Sequence, residues 1–228
     1  MLADNLARIR ESIAQAAVAA GRKPEEITLV AVAKGRPARR VRELFQLGVA
    51  DIGENRVQEM RQKAEELADL PLRWHMVGHL QRNKIKYLLN RDVLLHSLDR
   101  LSLAHALQQR LEQAGTHLRC LVQVNLQEDA ARQGVTPADL PAFMEEVAQL
   151  DRVRVVGLMT MAPPTTDPST VRPLFRRLRL LAEEVGQRRL PGIAMDHLSM
   201  GMSGDFEAAI AEGATMIRIG RALFGEPD

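Results

Sequence analysis

Cysteine is nearly missing from this 228-residue chain: Cys120 stands alone, which excludes an internal disulfide and any zinc cluster built on cysteine thiolates. Its setting in LRCLVQV reads as a strand interior, where a thiol fills core. Aromatic residues make up only 3% of the chain, too few for a base-stacking surface. No apolar run approaches the roughly 20 residues that a membrane helix needs. The N-terminus, with Asp4, Arg8, Arg10 and Glu11, has no signal-peptide core, so a cytoplasmic location without membrane attachment is expected. Lysine is scarce as well. Of 31 basic residues only Lys23, Lys34, Lys63, Lys84 and Lys86 are lysines, the rest being arginine. The densest basic stretch holds Arg172, Arg176, Arg177, Arg179, Arg188 and Arg189, but Glu183 and Glu184 interrupt it. With a net charge of only +2 it reads as a solvated helix face, and no nucleic-acid partner is expected.

What is present is a 46% hydrophobic content, enough for a full core, and one repeating rhythm. A helix with Leu2, Leu6, Ile9, Ile13, Ala16 and Ala17 on one face is predicted over 2–20, stopped by Gly21. Strands are predicted at 27–33, 50–53, 74–77, 93–95, 118–125, 153–159, 196–199 and 215–219, with helical patterns between them. Eight alternations of strand and helix, with no Gly/Ser-rich linker, indicate one domain over 1–228: an α/β fold closed as a (β/α)8 TIM barrel. The extra N-terminal helix is expected to cap the bottom. A doubly wound open sheet is the competing architecture.

In such a barrel the chemistry sits at the C-terminal ends of the strands. Those ends carry Lys34, then Glu54 and Asn55, His79 and Gln81, Asn125, and Thr160. Strand seven opens into SMGMSGD, with Ser199, Met200, Gly201 and Ser203, and strand eight into IRIGRALFG, with Arg218, Gly220 and Arg221. Both loops pair glycines with a following helix start, predicted at Ser203 in the first, and together they read as a phosphate cradle. Taken alone, either is also an ordinary helix cap with turn glycines. Lys34 ends the apolar run ITLVAVAK; it marks either a simple exit from the core or a desolvated amine that attacks an aldehyde. An amine of that kind facing a phosphate cradle suggests pyridoxal 5′-phosphate.

The segments AVAKGRP, IGENRVQE, WHMVGHLQRNK, GLMTMAP, LSMGMSGDFEAAIAEGA and IRIGRALFG resemble, in this order, the pyridoxal phosphate homeostasis protein family. The resemblance implies a barrel of the alanine racemase N-terminal type, that is, fold type III of pyridoxal phosphate proteins without the second β domain. It further implies that pyridoxal 5′-phosphate is held as a covalent aldimine on Lys34. Phosphate contacts would come from Ser199 or Ser203, the backbone at Gly220 and Arg221, and the Arg218 side chain, with Asn55 close to the ring. Apart from the resemblance, Met200 and Gly201 of the SMGMSGD loop are expected to bind the cofactor too, Met200 along its ring face. The chain departs from the family after strand five, where VNLQEDAARQG puts Arg132 and Gln133 in place of a frequent lysine and glycine.

Enzyme and carrier readings then diverge. Racemases that share this barrel carry a second domain and a tyrosine base, whereas this chain ends at Asp228 and its one tyrosine, Tyr87, lies in KIKYLLN, where packing is expected. The expected role is therefore non-enzymatic: the chain buffers the cofactor and related B6 vitamers and passes them to apo-enzymes, as a monomer or weak dimer. A weak amino-acid racemase or another fold type III enzyme is the alternative. No metal is expected, since His75 and His79 span a strand-to-loop junction rather than one helix face.

Overall fold

The computed structural model describes residues 1–89, 91–127, 129, 131–165 and 167–225. Glu128 and Ala130 of the loop after strand five, and Asp228, lie outside the described residues. Eight parallel strands close into a barrel in chain order: β1 (Thr28–Val32), β2 (Asp51–Glu54), β3 (Arg73–Met76), β4 (Val93–Leu98), β5 (Leu118–Gln123), β6 (Val153–Met159), β7 (Ile193–Ser199) and β8 (Met216–Ile219). β8 pairs back onto β1 through Thr28↔Met216 to Ala31↔Ile219, which excludes the open-sheet alternative.

The outer layer is formed by α1 (Leu2–Ala19), α2 (Ala38–Gln46), α3 (Val57–Glu66), α4 (Leu101–Gln113), α5 (Leu140–Val147), α6 (Pro168–Gln187), α7 (Phe206–Ala211) and α8 (Arg221–Phe224). Among the described residues β3 and β4 are joined only by a 3-10 helix, Arg82–Tyr87. Tyr87 is half-buried against the main core there, beneath the cationic groups of Arg61, Lys84 and Lys86, which lie 5.2, 5.8 and 5.1 Å from its ring centre. The packing expected of that tyrosine is what the fold provides.

The N-terminal helix does not cap the bottom of the barrel. Its buried stripe, Leu2, Leu6, Ile9, Ile13 and Ala17, lies against α7 and α8 in the outer ring. The reason is the length of α8: four residues cannot cover the flank that an eighth helix normally covers, so α1 supplies the missing apolar face. Asn5 Nδ2 donates to the Leu223 carbonyl (3.0 Å), and Arg22 donates to the carbonyls of Ile210 (3.2 Å) and Ala214 (2.7 Å), fixing both ends.

Most of the core lies between strands and helices, and Cys120 is buried within it, burial pushing its thiol pKa up. The barrel interior is different. Buried apolar side chains there form a small cluster, Val30, Leu94, Leu121, Met159 and Met216 with Val156 packed against it, and beside them lie buried polar ones, among them His75, His96, Ser199 and Arg218. On α6, Arg172 and Arg176 are spent on the buried Glu212 (2.9 and 3.1 Å) and Arg179 on Glu183 (2.7 Å), while Arg188, just past its end, pairs with Glu145. This agrees with a solvated, ion-paired helix face.

Candidate functional site

The C-terminal rim of the barrel opens into a cavity of about 590 Å3, within the ~300–1,000 Å3 range of small-molecule sites. Lys34, Arg36, Arg218 and Arg221 line it, and among the described residues no carboxylate does. Its apolar wall comes from Val32, Val77, Met161, Met202 and Phe224. The charge is one-sided, so the cavity favours an anion with an apolar body.

Lys34 sits in a turn that is staked down on both sides. The Ala33 carbonyl before it accepts from Lys63 Nζ (2.7 Å), and Lys63 also pairs with Glu54. The Gly35 amide after it donates to Glu59 Oε2 (3.1 Å). Two residues of α3, Glu59 and Lys63, thus hold the turn while the Lys34 side chain stays free. Among the described residues its amine has no hydrogen-bond or ion-pair partner. The desolvation expected for this amine is not found: Lys34 is exposed at the cavity mouth, because strand β1 ends two residues earlier and leaves it on the open rim.

Across the rim, the loops after β7 and β8 meet at one bond, where the Ala222 amide donates to Ser203 Oγ (3.2 Å). Ser203, Gly220 and Arg221 all reach the cavity. The helix in the first loop begins later than its sequence predicts, at Phe206 rather than Ser203. Asp205 causes the delay, since its Oδ1 accepts from the Met202 amide and folds a turn ahead of the helix. Burial raises the Asp205 pKa, and that bond partly opposes the shift.

Of the residues picked out in the sequence, Lys34, Asn55, Ser203, Arg218, Gly220 and Arg221 line the cavity, whereas Ser199, Met200 and Gly201 do not. Met200 is fully buried in the main core. Gly201, at φ +94°, serves a different close approach: a Cβ there would lie 2.7 Å from Ala209 Cβ and 2.9 Å from Phe206 Cα. The glycine admits α7 rather than a ligand. Ser199 lies beneath the cavity, its hydroxyl held by Arg218 Nη1 (2.6 Å) and His96 Nδ1 (2.9 Å). Burial lowers the Arg218 pKa to about 10, with the Asp205 charge opposing, so the guanidinium remains a cation near neutrality.

Other liners carried weaker sequence signals. Arg36 donates to the Gly225 carbonyl (2.5 Å) and stands 5.7 Å from the Phe224 ring centre, tying β1 to the end of α8. His79 lines the wall with Nδ1 3.3 Å from Asp99. Gln133 reaches the cavity because the loop after β5 folds back on itself: Gln123 Nε2 donates to its carbonyl (3.1 Å), and the Asn125 side chain bonds the carbonyls of Asp129 (2.8 Å) and Arg132 (3.3 Å). A glycine was needed at 78, where a Cβ would lie 2.2 Å from the Asn55 carbonyl oxygen and push Asn55 off the rim. Among the described residues no group of three or more His, Cys, Asp or Glu is placed to hold a metal ion.

A family model for the alanine racemase N-terminal domain matches residues 2–228. The pyridoxal phosphate homeostasis proteins of Aquifex aeolicus and Pseudomonas aeruginosa are 44% and 43% identical, over 98% and 100% of this chain and 97% and 96% of theirs. The chain belongs to the pyridoxal phosphate homeostasis protein family. Among solved structures of this kind, PipY of Synechococcus elongatus with PLP bound is 38% identical, with a TM-score of 0.86 over 99% of this chain and 100% of that one. The alanine racemase of Corynebacterium glutamicum shares the fold at 18% identity and a TM-score of 0.72; its match takes in 98% of this chain but 61% of the racemase. Family and racemase thus share the barrel, and among the described residues of this member the cavity has no tyrosine in its wall.

Proposed function

We propose that this chain binds pyridoxal 5′-phosphate at the barrel rim through a covalent bond to Lys34 and acts as a carrier and buffer of that cofactor. The carrying observation is the placement of one unpaired amine and three guanidinium groups around a single cavity free of carboxylates among the described residues. Pyridoxal phosphate fits that donor set: its aldehyde takes an amine, its phosphate takes cations, and its ring takes an apolar wall. Lys34 would supply the amine, with Ser203, Gly220 and Arg221 at the phosphate, Asn55 at the ring, and Arg218 as a fixed donor from below. Ser199, Met200 and Gly201 would support that set from behind the wall.

The names of the relatives and the bound ligand of PipY support the same reading. An exposed amine suits reversible loading, and delivery to apo-enzymes or exchange with other B6 vitamers follows from an open rim. Among the described residues no helix is long and apolar enough to cross a membrane, in keeping with a carrier that works in the cytoplasm. The test is an absorption spectrum of the protein with pyridoxal phosphate, before and after borohydride reduction, with the labelled peptide identified. The label is expected on Lys34 and absent from Lys34→Ala. A label on another lysine, or sustained racemisation of a single-enantiomer amino acid, would overturn the assignment.

A further inference from the structure

A single file of polar side chains crosses the barrel from its lower end to the floor of the cavity. At the bottom, Asp51 Oδ1 lies 3.0 Å from His75 Nε2 and 2.9 Å from Arg73 Nε. His75 Nδ1 lies 2.9 Å from His96 Nε2, the two rings meeting edge to face with centres 5.1 Å apart. His96 Nδ1 lies 2.9 Å from Ser199 Oγ, and Ser199 Oγ accepts from Arg218 Nη1 (2.6 Å). A second nitrogen of the same guanidinium donates to the buried Thr160 carbonyl (2.9 Å). Five strands contribute, and His75, His96, Ser199 and Arg218 are all buried.

The ends of this file fix its direction. Arginine can only donate and a carboxylate can only accept. Ser199 Oγ therefore receives from Arg218, which leaves its one hydrogen available for His96 Nδ1. With one hydrogen on each imidazole, His96 then donates from Nε2 to His75 Nδ1, and His75 donates from Nε2 to Asp51. Each hydrogen is used once and each acceptor is filled. Burial holds the His96 pKa well below its ordinary value, with the Arg218 charge adding to the effect, so one hydrogen on that ring is its resting state. Plain core filling does not require such an arrangement, because apolar side chains of similar volume would close the same space without desolvating two charges.

We propose that Asp51, His75, His96 and Ser199 form a one-way hydrogen-bond relay that holds the Arg218 guanidinium in place beneath the cavity, making them positioning residues for the bound cofactor. The proposal rests on the reading of the rim as a pyridoxal phosphate site. It assigns a role at that rim to a carboxylate at the opposite end of the barrel. It also leaves Ser199 without a hydrogen to offer a ligand, so donation from below falls to Arg218.

Two measurements test the relay. Nitrogen NMR of the ligand-free chain should find both His75 and His96 carrying hydrogen on Nε2 with Nδ1 bare; hydrogen on Nδ1 of His96 would overturn the direction. Release of pyridoxal phosphate is then followed as the loss of visible absorption on trapping with excess hydroxylamine. His96→Leu cuts the file and should release about tenfold faster, the effect of loosening one charge-assisted bond. His96→Gln can donate to His75 and accept from Ser199, and should release within about twofold of the unaltered chain. A melting temperature measured on each variant separates hold from stability, since simple loss of core packing would lower both together. If His96→Leu does not fold, Asp51→Asn decides, with release about threefold faster expected from loss of the terminal charge. Unaltered release from a folded His96→Leu or Asp51→Asn overturns the relay while leaving the site intact. If the unaltered chain takes up no pyridoxal phosphate, the reading of the rim itself falls, and the relay with it.

Discussion

Lys34 and Lys63 both lie next to Ala33, one following it in the chain and the other bonded to its carbonyl, yet their surroundings differ in every respect that matters to an amine. Lys63 is 7% exposed, reaches from α3 to β2, and is paired there with Glu54, which is fully buried. Burial raises the Glu54 pKa, and the hydrogen bond and charge of Lys63 oppose that shift. Among the described residues one oxygen of Glu54 still has no partner. Lys34 is exposed, unpaired among the described residues, and faces three arginines. A paired buried amine holds structure; an unpaired one on an open wall is available to react. The first lysine also fixes the turn that presents the second.

The largest expected effect separates the two amines. Lys34→Ala should abolish the borohydride-fixed label while leaving the unfolding free energy within about 0.5 kcal/mol, because an exposed unpaired side chain holds little in place. Lys63→Met should do the reverse. It leaves Glu54 as an uncompensated buried carboxylate, at a cost of about 3–5 kcal/mol in urea unfolding. Adding Glu54→Gln to Lys63→Met should recover part of that loss, since the buried charge is then gone. A label that survives Lys34→Ala, or a Lys63→Met protein of unchanged stability, would erase the contrast.

The fold was legible because eight apolar segments alternate with amphipathic ones, and periodicity survives errors at the segment ends. Lys34, Asn55, Ser203, Arg218, Gly220 and Arg221 were legible because chemistry at a barrel rim follows strand ends. Arg36 and Gln133 were not, since both reach the cavity through tertiary folding of loops, Arg36 by its bond to Gly225 and Gln133 by the return of the chain to Gln123. The interior relay had a weak signal. His75 in RWHM and His96 in VLLHSL are polar residues inside buried strands, an expensive choice unless each finds a partner. Their partners lie on strands far apart in the chain, so the pattern becomes visible only when the barrel closes.

The same interior makes an acid prediction. Burial pushes the Asp51 carboxyl up, but hydrogen bonds from His75 and Arg73 outweigh it and hold the pKa at about 2. A carboxylate depressed on folding adds stability above its unfolded pKa and loses it as pH falls through the folded value. About 2 kcal/mol should therefore disappear between roughly pH 4 and pH 2. Asp51→Asn should flatten that part of the stability profile; a profile unchanged by the substitution would mean that other carboxylates control acid unfolding.

The smallest expected effect returns to the rim. Arg221 is exposed, so its attraction for a phosphate is screened by salt, unlike that of the buried Arg218 beside it. Arg221→Gln should slow loading of pyridoxal phosphate by about threefold in dilute buffer and by less as salt rises, as expected of a rim charge that steers encounter. Arg218→Gln should lose more, and the loss should be indifferent to salt. Equal salt dependence for the two variants would show that the floor of the cavity is as wet as its lip, and would remove the distinction between a steering cation and a fixed one.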